Sequence, residues 1–122
     1  METLDETASV ISASKVTGTN VYNTDGDHLG AIQDVMIDKK SGKIAYAVMS
    51  FGGVLGIGQR YHPLPWATLK YDMRQGGYVV GINADQLKDA PAYGADEMPA
   101  WGDRAYETRV HDYYKAVPYW GV

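Results

Sequence analysis

The sequence contains no cysteine. This absence excludes a disulfide framework, a thiolate zinc site and a thiol nucleophile, and it leaves the redox compartment open. The chain has 122 residues, of which 45% are hydrophobic. A single domain of this length buries roughly 65% of its unfolded surface, so its core needs neither a disulfide nor a metal ion.

The sequence also lacks a basic stripe, a long apolar run and a secretory signal. Its net charge is -4, with 15 acidic and 11 basic residues interspersed, so a phosphate-contacting nucleic-acid surface is not expected. No apolar stretch approaches the roughly 18 residues that span a bilayer. The acidic N-terminus is unlike a signal peptide. We expect a soluble, cytoplasmic protein without a transmembrane segment.

Catalytic and metal-binding motifs are missing as well. No serine lies in a G-x-S-x-G context, and the three histidines, His28, His62 and His111, lack the spacing of a metal site. His62 is the best candidate for a pH-sensitive residue, because Tyr61 and the Pro-Leu-Pro-Trp segment after it could bury the ring. A half-exposed position on a strand is the alternative. We expect no enzyme, no cofactor and no metal.

A glycine-rich stretch, FGGVLGIGQRY, begins at Phe51. Dinucleotide binding requires the order GxGxxG between a strand and a helix. Here the order is GGxxGxG, and the residues that follow have the pattern of a strand. The stretch is therefore interpreted as a hairpin or bulge between strands, with glycine serving the backbone geometry.

Short apolar segments separated by turn residues predict a small β-barrel or sandwich. The predicted strands are residues 19–23, 29–38, 44–51, 59–63, 69–72 and 77–82. A short helical turn is predicted after Pro65. Asn83 and Gln86 have the spacing of a capping box, which predicts a short helix that ends before Pro91.

The third predicted strand, IAYAVMSF, has Ser50 as its single polar residue. Because a half-exposed strand would alternate, this run predicts burial on both faces. The second face is covered either by another subunit or by the chain's own tail. The candidate interaction residues of this strand are Tyr46, Val48, Met49 and Phe51.

Aromatic residues are concentrated in the tail, residues 93–122, which holds five of the ten tyrosines and two of the three tryptophans. Asp103 is placed to cap a helix of about twelve residues. Its expected apolar face is Tyr106, Val110, Tyr113 or Tyr114, and Val117. Because each aromatic ring can bury about 150–250 Å², we expect the tail to pack on a barrel, its own or a neighbour's. The candidate interaction residues here are Tyr113, Tyr114, Tyr119 and Trp120.

A series of short motifs extends over residues 16–93. It consists of Val16-Thr-Gly18, Val21-Tyr22, Gly26, Leu29-Gly30, Val35, Ile37-Asp38, Gly42-Lys-Ile44, Ala47-Val48, the glycine-rich stretch, Pro63-Leu-Pro65-Trp66, Gly77-Tyr78-Val79 and Ala90-Pro91-Ala-Tyr93. In this order and spacing the motifs resemble a PRC-barrel domain.

The resemblance implies a mainly β fold: a small six-stranded PRC-type barrel with short helical turns and a C-terminal aromatic-rich helix or tail. The expected organisation is a flexible arm (1–15), the barrel domain (16–93) and a tail that packs on a barrel (94–122). Members of this family include the cytoplasmic domain of the photosynthetic reaction-centre H subunit and the C-terminal domain of a ribosome-maturation factor. A stand-alone bacterial member is expected here.

Since the barrels of these members dock onto larger partners, the resemblance implies a non-catalytic protein-interaction or scaffold module. We expect a homodimer that associates through its barrel and tail and that also binds a larger protein client. Two alternatives stay open. One is a small-ligand or redox-accessory protein of photosynthetic-type membranes, and the other is a ribosome-assembly accessory factor, which the acidic charge balance disfavours.

Overall fold

A computed structural model describes residues 10–51, 60–94, 97, 101 and 103–120. The strands are β1 (Asn20–Tyr22), β2 (His28–Ile37), β3 (Ile44–Phe51), β4 (Arg60–Pro65), β5 (Leu69–Asp72), β6 (Gly77–Val80) and β7 (Tyr93–Gly94). The α-helices are α1 (Ala13–Val16), α2 (Ala84–Lys88) and α3 (Arg104–Tyr114), and a 3-10 turn spans Trp66–Thr68. The predictions for the glycine-rich stretch and for most of the N-terminal arm concern residues 52–59 and 1–9, which lie outside the described residues.

The strands form one sheet in the order β5-β6-β1-β2-β3-β4-β7. All neighbours are antiparallel except β1 and β6, which are parallel. The mainly β fold is confirmed. The described residues form seven strands where six were expected, because Tyr93 and Gly94 pair with Tyr61 and Arg60 of β4. Over the described residues the sheet is not closed, and its order is consistent with a barrel-like fold.

Local hydrogen bonds explain where the elements begin. The predicted capping box is present: the Asn83 side chain accepts from the Gln86 backbone N–H at 2.8 Å, and the Gln86 side chain accepts from the Asn83 N–H at 2.9 Å. Asp103 accepts from the Ala105 N–H at 2.9 Å and caps α3 as predicted. These three hydrogen bonds pair backbone donors that the start of a helix leaves without partners.

The two faces of β3 belong to different clusters. Ala47 and Met49 lie in the larger hydrophobic cluster, which we call the inner core. Its buried residues are Val16, Val21, Leu29, Ile32, Ala47, Met49, Leu64, Tyr78, Val80, Ile82 and Leu87. Tyr46 lies on the other face, in a second cluster with Ala45 and Val110. The chain's own α3 therefore covers the outer face of β3 around Tyr46.

The buried face of α3 agrees in part with the predicted one: Val110 is buried and Tyr106 and Tyr114 pack against the second cluster, but two polar residues join them and Val117 does not. Glu107, Val110 and His111 are its buried residues, whereas Val117 is 70% exposed. The helix ends at Tyr114 because Lys115 adopts a left-handed conformation, with φ of 53°, so Val117 is not on the helix. A polar pair occupies the buried face because the hydroxyl of Tyr46 can pair with both side chains.

Candidate functional site

A buried polar network joins the outer face of β3 to α3. Glu107 and His111 are four residues apart, so they lie on the same face of the helix. The Tyr46 hydroxyl donates to Glu107 Oε1 at 3.1 Å, and His111 Nε2 lies 2.8 Å from the same hydroxyl oxygen. The Tyr119 hydroxyl also donates to Glu107 Oε1, at 2.8 Å. Tyr46, Glu107 and His111 are at most 5% exposed.

Burial dominates the electrostatics of this network. It raises the pKa of Tyr46, and the negative charge of Glu107 raises it further. Burial also lowers the pKa of His111. Near neutral pH Tyr46 is therefore a neutral hydrogen-bond donor, and His111 is predominantly a neutral ring. These two side chains hold α3 on the sheet.

An open groove lies beside this network. Its volume is about 540 Å³. One wall is the end of β2 and the turn after it, and the other wall is the C-terminal segment. The lining residues are Met36, Ile37, Asp38, Lys39, Lys40, Ala45, Tyr46, Trp101, Arg104, Glu107, Tyr119 and Trp120. We call this surface the aromatic groove.

Contacts between aromatic rings and Arg104 hold together the C-terminal wall of the aromatic groove. The Arg104 guanidinium carbon lies 3.8 Å from the centroid of the Trp120 ring. Trp120 also meets Tyr119 edge to face, with 5.0 Å between centroids. Tyr119 and Trp120 each remain 36% exposed, so the groove presents aromatic surface to solvent.

The structure brings three of the predicted interaction residues together. Tyr46, Tyr119 and Trp120 line the aromatic groove, although Tyr46 is only 1% exposed. The other five lie elsewhere. In β3, Val48 and Met49 are buried, and Phe51 packs against His62. In α3, the Tyr113 hydroxyl donates to the Gln86 carbonyl oxygen, and Tyr114 packs against both hydrophobic clusters. Contact of these residues with a second chain stays a prediction.

The sequence did not indicate a role for Trp101, Arg104 or Glu107, and His111 was named only among the histidines that lack metal-site spacing. The spacing of Glu107 and His111 is the one signal that places them on a common face. Charged and titratable side chains are usually solvated, so this spacing alone does not indicate a buried pair.

His62 is fully buried, at 2% exposure, instead of half exposed. Its ring meets Phe51 edge to face at 5.6 Å between centroids. Burial lowers the pKa of His62 to about 4, and the positive charge of Arg60 contributes in the same direction. Near neutral pH the ring is therefore uncharged.

Neither a metal-binding cluster nor a membrane-spanning helix occurs in the described part of the chain. Among these residues, no group of three or more His, Asp or Glu side chains is arranged to hold a metal ion. Within the same residues, no helix has the length and apolar character needed to cross a membrane.

Comparison with known proteins identifies the domain family. The sequence profile of the PRC-barrel domain matches residues 9–87. An uncharacterized protein of Deinococcus radiodurans is 26% identical over 80 residues, which cover 66% of this chain and 28% of that relative. The chain thus spans less than a third of the relative's length. The profile match includes β1 to β6 but not α3, so the aromatic groove combines family-domain residues with a segment outside the match.

Proposed function

Because the chain belongs to the PRC-barrel domain family, we propose that it acts as a non-catalytic protein-interaction module. In this role it associates with itself and also binds a protein client in the aromatic groove. The observation that carries the client site is the pair of half-exposed rings, Tyr119 and Trp120, held beside an open groove. Tyrosine, tryptophan and arginine are the residues most enriched at interface hot spots, because they offer large contact area with a polar end.

The charges of the aromatic groove favour an acidic client segment. Lys39, Lys40 and Arg104 line it. Of the two acids in the lining, Asp38 accepts from the Ser41 hydroxyl at 2.7 Å, and Glu107 accepts from Tyr46 and Tyr119. The lining cations thus outnumber the acids. Both acids already have partners, and Arg104 itself lies near Glu107, with 3.9 Å between Nε and Oε2, so Lys39 and Lys40 carry the excess positive charge. We infer a client segment with Asp or Glu beside an apolar side chain that contacts Trp120.

An affinity experiment with matched variants tests this assignment. Trp120→Ala removes exposed aromatic surface from the groove, whereas Val117→Ala shortens a 70% exposed side chain of the same segment outside the groove. We expect a client captured from the native host by the wild-type chain and by Val117→Ala to be lost with Trp120→Ala. Its binding should weaken as salt concentration rises.

Equal recovery with all three chains would overturn the groove assignment. Thermal unfolding of each variant is the control for loss of the fold, since Trp120 also contacts Arg104 and His111.

Self-association is tested separately by size-exclusion chromatography with light scattering. We expect the apparent mass to rise with concentration toward that of a dimer. A strict monomer at micromolar concentration would overturn the self-association, and it would leave the client site to be judged by the capture experiment.

A further inference from the structure

Strand β5 lies at one end of the sheet order. One of its edges pairs with β6, from Leu69 opposite Val80 to Asp72 opposite Gly77. Within residues 10–51, 60–94 and 103–120, no strand follows on its other edge. Backbone N–H and C=O groups along such an edge can pair with a strand of another chain.

Exposed apolar side chains accompany this edge. Tyr71 is 42% exposed, and Met73, in the turn after β5, is 78% exposed. Tyr71 stands opposite Tyr78 in the β5–β6 hairpin, and the two rings meet edge to face at 5.2 Å between centroids. Tyr78 belongs to the inner core. Tyr71 therefore extends the aromatic packing of the core to the end of the sheet, and an added strand would cover its exposed side.

The charges along β5 are self-complementary. Lys70 and Asp72 flank Tyr71 and share the opposite face of the strand, because side chains alternate. If two copies pair antiparallel with Tyr71 opposite Tyr71, each Lys70 faces the Asp72 of the other copy. A shift of two residues in either direction would instead place Lys70 against Lys70 or Asp72 against Asp72. Opposite charges in facing positions stabilise strand pairing, and like charges destabilise it.

We propose that two copies of the chain associate through β5, antiparallel and around a two-fold axis at Tyr71. Such an isologous contact uses the same surface of both copies. The proposal rests on the self-association proposed above and identifies its interface. None of Lys70, Tyr71, Asp72 and Met73 lines the aromatic groove, so the dimer leaves the client site open.

Cysteine cross-linking tests the register directly, because the natural chain contains no cysteine. In Tyr71→Cys the two introduced thiols would face each other, with Cα atoms about 5 Å apart, a separation that a disulfide can bridge. In Met73→Cys the two thiols would be separated by about 13 Å along the strands. Mild oxidation should therefore yield a disulfide-linked dimer with Tyr71→Cys and little with Met73→Cys. If the disulfides instead formed by random collision of monomers, Met73→Cys would cross-link at least as fast as Tyr71→Cys, because position 73 is more exposed.

Charge exchange provides a second test without cysteine. Lys70→Asp alone places like charges in both facing pairs of a homodimer, and so does Asp72→Lys alone. We expect each variant to weaken dimerisation about tenfold. An equimolar mixture of the two should recover the dimer as a heterodimer, because every facing pair then carries opposite charges. Damage to the hairpin itself would not be repaired by mixing.

The outcomes separate the two proposals. If the wild-type chain is monomeric at micromolar concentration, the self-association fails and the β5 interface fails with it. If the wild-type chain is dimeric but the mixture recovers nothing and position 73 cross-links as fast as position 71, the chain self-associates through another surface. Register-specific cross-linking together with recovery in the mixture supports the β5 dimer.

Discussion

Tyr46 in β3 donates a hydrogen bond to Glu107 in α3, with 3.1 Å between the oxygen atoms, and both side chains are buried. This bond joins the domain that the family profile matches to the segment that follows it. A buried carboxylate is costly unless it is hydrogen-bonded. The Glu107 carboxylate accepts hydrogen bonds from the Tyr46 and Tyr119 hydroxyls, and Arg104 Nε lies 3.9 Å from its Oε2. The position of α3 is therefore specified by polar contacts as well as by the burial of Val110.

Replacing Tyr46 by Phe tests the contribution of the hydrogen bonds between β3 and α3 to stability. The variant keeps the ring but removes the hydroxyl from both Glu107 and His111. Glu107 Oε1 keeps its hydrogen bond from Tyr119, whereas His111 Nε2 loses its partner. Leaving a buried polar atom without a partner costs about 1–3 kcal/mol, so we expect a loss of that size in the free energy of unfolding. Urea denaturation measures it. Tyr61→Phe removes a hydroxyl from a half-buried ring outside the network and serves as the control. Equal stability of Tyr46→Phe and the wild-type chain would contradict a stabilising role for the bond.

The buried His62 predicts a loss of stability in acid. Its pKa is lowered to about 4 in the folded chain, from an ordinary 6.5. Above pH 6.5 the ring is neutral in both states and the stability is fully present. As the pH falls from 6.5 toward 4, the unfolded chain binds a proton that the folded chain does not. This difference costs about 3 kcal/mol by pH 4, and the lowered pKa of His111 acts in the same direction.

Denaturation at a series of pH values measures this effect. His62→Leu removes the titrating ring at a buried position, so the decline between pH 6.5 and 4 should become shallower. His28→Gln, which removes an exposed ring, is the control. If the decline of His62→Leu is as steep as that of the wild-type chain, protonation of His62 is not its cause.

Gly30 allows β2 and β3 to approach closely. A Cβ atom at this position would lie 1.9 Å from the Ser50 carbonyl oxygen, which belongs to the backbone of the neighbouring strand. Gly30→Ala must therefore separate two central strands, and we expect it to lower the free energy of unfolding by about 3 kcal/mol. Gly81→Ala is the matched control, because nothing lies within 4 Å of its Cβ position. Similar unfolding midpoints for the two variants would argue against the close approach.

The sequence predicts elements whose signals are local. Asn83 and Gln86 identify a capping box from their spacing, and Asp103 identifies the start of α3, because a cap depends on residues two or three positions away. The run around Val48 also indicates burial on both faces. It does not indicate what covers the second face, because that depends on contacts between residues far apart in the chain.

The candidate site was harder to predict for the same reason. In the sequence, Glu107 and His111 have the pattern of a solvated helix face. Their hydrogen-bond partner Tyr46 lies about sixty residues earlier in the chain, so no local pattern indicates that they are buried. Likewise, β7 is only two residues long, and its pairing with β4 leaves no periodic pattern in the sequence.

The N-cap of α3 yields a final prediction about the aromatic groove. Asp103 accepts from the Ala105 N–H and precedes Arg104, which contacts Trp120. Asp103→Ala removes the cap and should lower the free energy of unfolding by about 1 kcal/mol, while Asp103→Ser, an equally good cap without charge, should restore most of it. Fraying of the first helical turn would also loosen Arg104, so client binding should weaken in Asp103→Ala and recover in Asp103→Ser. If Asp103→Ser is as unstable as Asp103→Ala, the charge of Asp103 matters more than its cap.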